Sequence, residues 1–355
     1  MSTSLERLQS RLALAPVDAL LVTDPKNVTW LTGFTGSYGY ALLRADRGVF
    51  ITDSRYTLQA QAEVTGLEVI SFSSPRSVID LMDEQIAALK VEKLGFEPSV
   101  TYQTWESWTR KITSCEWVAQ PDLLPPLRMV KTPEELSKIR AACQLADQCM
   151  EHIVGMLQPG VSEYDIGLAI EFFFRRAGAG IAFDPIVASG LNSAKPHGRA
   201  SEKKLVRGDF VTLDFGATLD GYNSDITRTF VIGPASDRQK LLYARVLEAQ
   251  VAAVDALRPG ANGRDVEALA RKILDQDDLA QYFGHGLGHG LGADVHDYGR
   301  LTSTVDQPIE VGQVWTVEPG VYINDFGGLR IEDDVVVTEG EPEILTHFPK
   351  NLMEL

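Results

Sequence analysis

The segments GDFVTLDFG (208–216) and GQVWTVEPG (312–320) decide the fold. Aligned on their glycines, they set Asp214 opposite Glu318. Each precedes a second strand-like run bearing an acid: YNSDITRTFVI (222–232) carries Asp225, and GLRIEDDVVV (328–337) carries Glu332. A further echo lies upstream of each. LQPGVSEYDIGLAI begins at Leu157 and LRPGANGRDVEALA at Leu257; both read Leu-x-Pro-Gly with an aspartate five residues after the glycine, then helical spacing. A pattern that occurs twice in this way marks an internal repeat. Two half-domains of helix plus β-hairpin are expected to face each other across a pseudo-twofold axis.

Side chains alternate faces along a strand. Asp214 therefore shares a face with Thr212, and Asp225 with Asn223 and Thr227. Asp220-Gly221 between them has the chemistry of a tight hairpin turn, which can bring the two carboxylates together. Glu318 and Glu332 do the same around PGVYINDFGG (319–328). Val211, Leu213, Phe215, Ile226, Val317 and Ile331 flank the four acids, and unpaired carboxylates in apolar surroundings are costly. Either most are protonated or cations neutralise them. Between the hairpins, FGHGLGHGLGADVH (283–296) sets three of the chain's six histidines among five glycines. A mostly oxygen donor set with one imidazole suits divalent ions, Mn²⁺ first, then Co²⁺, Zn²⁺ or Fe²⁺. Four negative charges balance two such ions. Two metals about 3.5 Å apart can hold a hydroxide between them and polarise a carbonyl, which is machinery for hydrolysis.

The rest of the chain bounds this reading. A length of 355 residues suits two domains, and 44% hydrophobic with 23% charged residues is a globular composition. A net charge of -16 argues against nucleic acid or an anionic membrane as partner. No apolar run is long enough to span a bilayer. The start, MSTSLERLQSRLALAPVDALLV, lacks the regions of a signal peptide, and Leu5, Leu8 and Leu12 are spaced as an amphipathic helix. Cys115, Cys143 and Cys149 are few, odd in number and far from the histidines, which points to reduced, mostly buried thiols of a cytoplasmic protein.

In the first third, VDALLVT, YGYALLRA, GVFIT, LEVISF and KLGFE are strand-like, while RYTLQAQAEV and SVIDLMDEQIAALKV have helical spacing. That alternation predicts an α/β layer. PDLLPPLRMVKTPEE (121–135), with three prolines before Arg128, is expected to be a linker. Thr132 should cap a long helix, with Pro133 at its first position and Glu135 closing the box. The boundary is placed near Leu127, giving domains 1–127 and 128–355.

The ordered set LDFG, SDITRTF, HGLGHGLGADVHD, TVEPGVYI and GLRIED resembles the M24 metallopeptidases of pita-bread fold, specifically their aminopeptidase P and prolidase branch. The resemblance covers essentially the whole chain: an α/β creatinase-type N-terminal domain, then an α+β pita-bread domain. It implies that Asp214 holds one metal, that Asp225 and Glu332 bridge both, and that His289 and Glu318 complete the other. Glu318 would be the acid/base partner of a metal-bridging hydroxide. His197, in SGLNSAKPHG (189–198), would stabilise the developing oxyanion. His296 would line the proline side of the pocket, with Arg330 near it as a cation. His285 would lie in the pocket wall or just behind the ligands. The glycines would let backbone approach metal and substrate closely. His152 and His347 are expected to be structural. Ala293 stands where many relatives have a larger aliphatic residue, which bears on pocket size.

Creatinase shares the two-domain plan without the ligands, non-catalytic relatives that bind peptides or proteins usually lose them, and methionine aminopeptidases generally lack the first domain. All five ligand positions are filled here. The branch implies a homodimer acting on proline-containing peptides. Within it, aminopeptidase P removes a residue preceding proline from peptides, whereas prolidase cleaves only Xaa-Pro dipeptides. Arg330 could meet a dipeptide carboxylate, but its motif is common to both. FITDSRYTLQAQAE (50–63) resembles a stretch of aminopeptidases P, and no histidine precedes His152 to clamp a dipeptide. Trp30, Tyr38 and Arg55 are candidates for roofing the cleft. The expectation is a Xaa-Pro aminopeptidase, with prolidase as the alternative.

Overall fold

A computed structural model describes residues 3–355, which form two compact units divided between Leu127 and Arg128. In the first, helix α1 (Ser4–Leu12) buries Leu5, Leu8 and Leu12. The strands are β1 (Ala19–Val22), β2 (Tyr40–Leu43), β3 (Gly48–Asp53), β4 (Glu68–Phe72), β5 (Lys93–Phe96) and β6 (Glu116–Ala119), in the order β4-β3-β2-β1-β5-β6. Helices α2 (Pro25–Thr32), α3 (Thr57–Glu63), α4 (Val78–Ala88) and α5 (Tyr102–Lys111) connect them. Leu20 and Val22 enter the core on one side of the sheet, and Ala19 and Leu21 the core on the other, because side chains alternate along β1. Helices α2 and α5 and strand β6 have no counterpart in the sequence reading. Helix α5 buries only Trp108, too little for a visible apolar stripe.

The expected linker is more ordered than its prolines suggest. A helical turn, α6 (Pro125–Met129), starts at a proline, which tolerates that position because the first turn needs no amide donor. Leu123 and Leu124 are buried in the first unit's core.

The second unit opens with α7 (Pro133–Val154), capped by Thr132 and Glu135 in a reciprocal box. It pairs with α8 (Glu163–Arg176), and then come β7 (Gly180–Ile181), β8 (Ile186–Ser189), β9 (Phe210–Phe215), β10 (Ala217–Leu219), β11 (Tyr222–Asn223) and β12 (Ile226–Val231). Helices α9 (Asp237–Ala256) and α10 (Gly263–Leu274) begin a second pass, followed by β13 (Gly288–Gly290), β14 (Asp297–Leu301), β15 (Val314–Val317), β16 (Gly320–Ile323), β17 (Gly327–Arg330), β18 (Asp333–Val336) and β19 (Glu343–Ile344). The passes match. In the first, β8, β9 and β12 are neighbours and β10–β11 is a hairpin between β9 and β12. In the second, β13, β15 and β18 are neighbours and β16–β17 is the intervening hairpin. Helices α7 and α8 pack on the first sheet through Met150, Ile166 and Phe174, and α9 and α10 on the second through Val246, Val266 and Leu274. Among the described residues, no helix is long and apolar enough to cross a membrane.

Candidate metal centre

Asp214 sits on β9 opposite Thr227 of β12, and Asp225 just before β12. Glu318 follows β15, Glu332 lies between β17 and β18, and His289 is the middle residue of β13. Ligand atoms of Asp225, His289 and Glu332 lie within 4.8 Å of one another. His289 Nε2 is 3.7 Å from Asp225 Oδ2 and 3.6 Å from Glu318 Oε1. Asp214 is near enough for its charge to act on Asp225, Glu318 and Glu332. The two passes thus bring all five residues to one place.

The cluster is electrostatically incomplete by itself. Burial, then repulsion from Glu332 and Asp214, pushes the Asp225 carboxyl well above the usual range. Burial, then Glu318 and Asp214, does the same to Glu332. Glu318 is raised to about 7 by burial, with Arg330 opposing. Burial drops His289 to about 3, so its imidazole is neutral. Its Nδ1 is 3.1 Å from the Gly290 carbonyl, which fixes the proton there and turns the Nε2 lone pair toward the acids. Among the described residues, the buried Asp214 Oδ1 and Asp225 Oδ1 accept no hydrogen bond. Crowded acids with unsatisfied oxygens, faced by an imidazole lone pair, fit a pair of divalent cations.

Surrounding groups hold these side chains. Thr227 Oγ1 donates to Glu332 Oε2 (2.6 Å), and Thr316 Oγ1 to Glu318 Oε1 (3.3 Å). The Asp225 N–H donates to Asp334 Oδ2 at 2.8 Å. Arg228, buried between Thr227 and Thr229 in β12, donates to the backbone carbonyls of Thr227, Glu332 and Phe348 and pairs with Asp333 at 2.8 Å. A charged residue inside a buried strand is the signal that could have revealed it. Arg330 is also buried. It pairs with Asp214 and donates to Thr227 Oγ1 (3.0 Å), Tyr322 Oη (2.7 Å) and the Pro196 carbonyl (3.4 Å). Tyr322, which the sequence did not single out, lies 2.9 Å from His285 Nε2, while His285 Nδ1 is 2.8 Å from the Gly286 carbonyl. Burial drops His285 to about 4, so it too is neutral and both nitrogens are engaged.

His296 is exposed, and its ring meets that of His289 edge-on at 4.4 Å. His197 is exposed and lies near enough to both His285 and His296 to act on them electrostatically. His152 stacks on Phe173, and the His347 N–H binds Asp147. In the first unit Trp30 is buried, Tyr38 packs on Tyr40 and Phe72, and exposed Arg55 pairs with Asp53.

The glycines beside His289 are required by the packing of the strands. A Cβ on Gly288 would lie 2.0 Å from the Thr316 carbonyl oxygen, and one on Gly290 2.0 Å from that of Tyr298. Their absence lets β13 press between neighbouring strands. Gly288→Ala should therefore lower the thermal midpoint by on the order of 10 °C. An unchanged melting curve would show that the strands can part.

This geometry is that of a metallohydrolase centre built on a duplicated α+β scaffold. Residues 137–339 match Metallopeptidase family M24, and residues 5–130 match the Creatinase/Prolidase N-terminal domain. The chain belongs to the M24 metallopeptidases, with a creatinase-type N-terminal domain and a catalytic domain of pita-bread fold. It is similar to the structure of a Xaa-Pro dipeptidase from Bacillus anthracis, at 42% identity and a TM-score of 0.95, covering 99% of both chains. An X-Pro aminopeptidase from Thermotoga maritima MSB8 has 34% identity and a TM-score of 0.90, over 98% of this chain and 100% of that one. A Xaa-Pro dipeptidase from Pyrococcus furiosus is 33% identical over 356 residues, 99% of this chain and all of the relative.

Proposed function

We propose that this protein is a two-metal Xaa-Pro peptidase and that it acts as a dipeptidase of the prolidase kind. The observation supporting metal-dependent hydrolysis is the meeting of Asp225, His289 and Glu332, with buried carboxylate oxygens left unpartnered. The preference for dipeptides rests on the relatives: full-length Xaa-Pro dipeptidases weigh more than the resemblance of one N-terminal stretch to aminopeptidases P.

Asp214, Asp225, His289, Glu318 and Glu332 would hold the two ions, with Mn²⁺ the first choice. Such ions, when bound, polarise the scissile carbonyl and lower the pKa of water. The chain's own groups do the rest. Glu318 Oε1 is held by Thr316, leaving Oε2 to take a proton from the attacking water and pass it to the proline nitrogen as the C–N bond breaks. His197 donates toward the developing oxyanion, and His296 walls the proline side. Arg330, consumed by Asp214, Thr227 and Tyr322, braces the acids and leaves no free fork for a substrate. The cation offered to a proline carboxylate is then Arg300. It is exposed, opposite His289 on β14, and its charge reaches His296, His289 and Glu318. Arg300→Ala should raise KM for Ala-Pro by about tenfold or more with a smaller change in kcat. An unchanged KM removes Arg300 from the pocket. A cytoplasmic homodimer is the proposed setting.

The deciding experiment compares Ala-Pro with Ala-Pro-Ala on Mn²⁺-loaded protein. Cleavage of the dipeptide alone supports the proposal. Cleavage of the tripeptide with the dipeptide spared makes it an aminopeptidase P. Full activity in chelator, with no metal by elemental analysis, overturns the metal reading.

A further inference from the structure

The chain from Ser189 to Ser201 forms a strap that carries His197, and one buried acid sets its path. Glu163, the first residue of α8, is 0% exposed. Its Oε1 accepts from the Ser189 N–H (2.7 Å), Ser189 Oγ (2.7 Å) and Asn192 Nδ2 (3.3 Å). Its Oε2 accepts from the Ser201 N–H (3.2 Å), Ser201 Oγ (2.6 Å) and Asn192 Nδ2 (3.2 Å). These partners are uncharged groups at both ends and in the body of the strap. The N-terminus of α8 also favours the negative charge. A carboxylate so fully occupied has no lone pair to offer a reaction, and its hydrogen bonds are of the strong, charge-assisted kind. Its part is mechanical.

The opposite side of the strap is pinned as well. Ser193 Oγ accepts from the Gly328 N–H at 2.8 Å and donates to the Gly190 carbonyl at 2.6 Å. A Cβ on Gly328 would lie 2.4 Å from the Ser193 carbonyl oxygen, so the strap lies directly on the start of β17. The far end of β17 is Arg330, whose Nη1 lies 3.4 Å from the carbonyl of Pro196, the residue before His197. The repeat supplies an independent observation. Aligning LQPGVSEYD with LRPGANGRD puts Gly263 where Glu163 stands. A Cβ at Gly263 would already lie 2.9 Å from the Leu301 side chain. The duplicated architecture does not require an acid at this position; the acid occurs in the pass that bears the strap.

We infer that Glu163 is a positioning residue: through Ser189, Asn192 and Ser201 it holds His197 at the scissile carbonyl. This rests on the proposed part of His197 as oxyanion donor. A glutamine at 163 would turn an amide NH₂ toward donors and release one side of the strap. In Glu163→Gln, kcat should fall on the order of tenfold to a hundredfold while KM and metal content stay near wild type. Trypsin should cut faster after Arg199, which is exposed on the strap. In a His197→Ala background the same change should cost less than about twofold, because the group it positions is gone.

An equal fall in both backgrounds overturns the positioning role and leaves Glu163 a fold residue. Unchanged kcat and unchanged tryptic cutting overturn it as well. Should His197→Ala itself keep wild-type kcat, the His197 reading falls, and the positioning proposal falls with it. Ser201→Ala, which removes only the 2.6 Å donor, gives the same readouts at smaller amplitude if the glutamine variant does not fold.

Discussion

Asp225→Asn, loaded with Mn²⁺, is expected to hydrolyse Xaa-Pro substrate about a thousandfold or more slowly than the native protein. Glu332→Gln should do the same. Both acids are buried with an imidazole among their nearest neighbours, and neither an asparagine nor a glutamine can carry the charge that a second cation needs. Metal content by elemental analysis should fall from two ions toward one. The same substitutions should stabilise the metal-free fold, because each removes a buried acid that its neighbours repel. A rise in the metal-free thermal midpoint of about 3–6 °C is expected. Near-native turnover with two ions bound would mean that these carboxylates are not ligands.

The metal-free protein should lose stability as pH rises above about 6.5, and divalent ions should restore it. The sign follows from two opposed sets of groups. Asp225, Glu332 and Glu318 have folded pKa values raised by burial, Glu318 to about 7. Raised acids favour the fold at low pH and oppose it as pH climbs from the unfolded value toward the folded one. His289 and His285 are lowered by burial, to about 3 and about 4, so their neutral forms oppose the fold increasingly as pH drops below the unfolded value. Below about 6.5 the two histidines offset part of the effect of the three acids. Above it the histidines are neutral in both states and only the acids still act. From Glu318 alone a loss on the order of 1 kcal/mol per pH unit is expected there, read by denaturant unfolding in chelator. Excess Mn²⁺ should flatten the dependence, since binding to the native state adds stability by mass action. A metal-free stability that rises between pH 6.5 and 8 would contradict the crowding of acids at this centre.

Much of this protein was legible before its structure. The acids at 214, 225, 318 and 332 stand in two passes of the same local pattern; alternation along β9 aims Asp214 inward, whereas Asp225, Glu318 and Glu332 sit just beyond strand ends. Thr132 and Glu135 announce α7 because a helix cap is a contact three residues long. Leu5, Leu8 and Leu12 announce α1 in the same way. The choice between dipeptide and longer peptide was not legible. It depends on how far the cleft extends beyond proline, and the catalytic motifs are shared by both kinds of enzyme.

By itself the sequence determined most of the elements, the repeat and which residues could bind a metal, because each of these is written in local patterns a few positions long. Only the tertiary structure decided what those residues touch. It turned Arg330 inward onto Asp214 and Tyr322, filled the space beside Gly288 with the Thr316 carbonyl, and set Glu163 beneath the strap of His197. Apart from Tyr322, eight residues from Arg330, those partners lie tens of residues away or more in the chain. A hydrogen bond or a close approach between distant residues exists only once separate stretches of the backbone have been packed against each other.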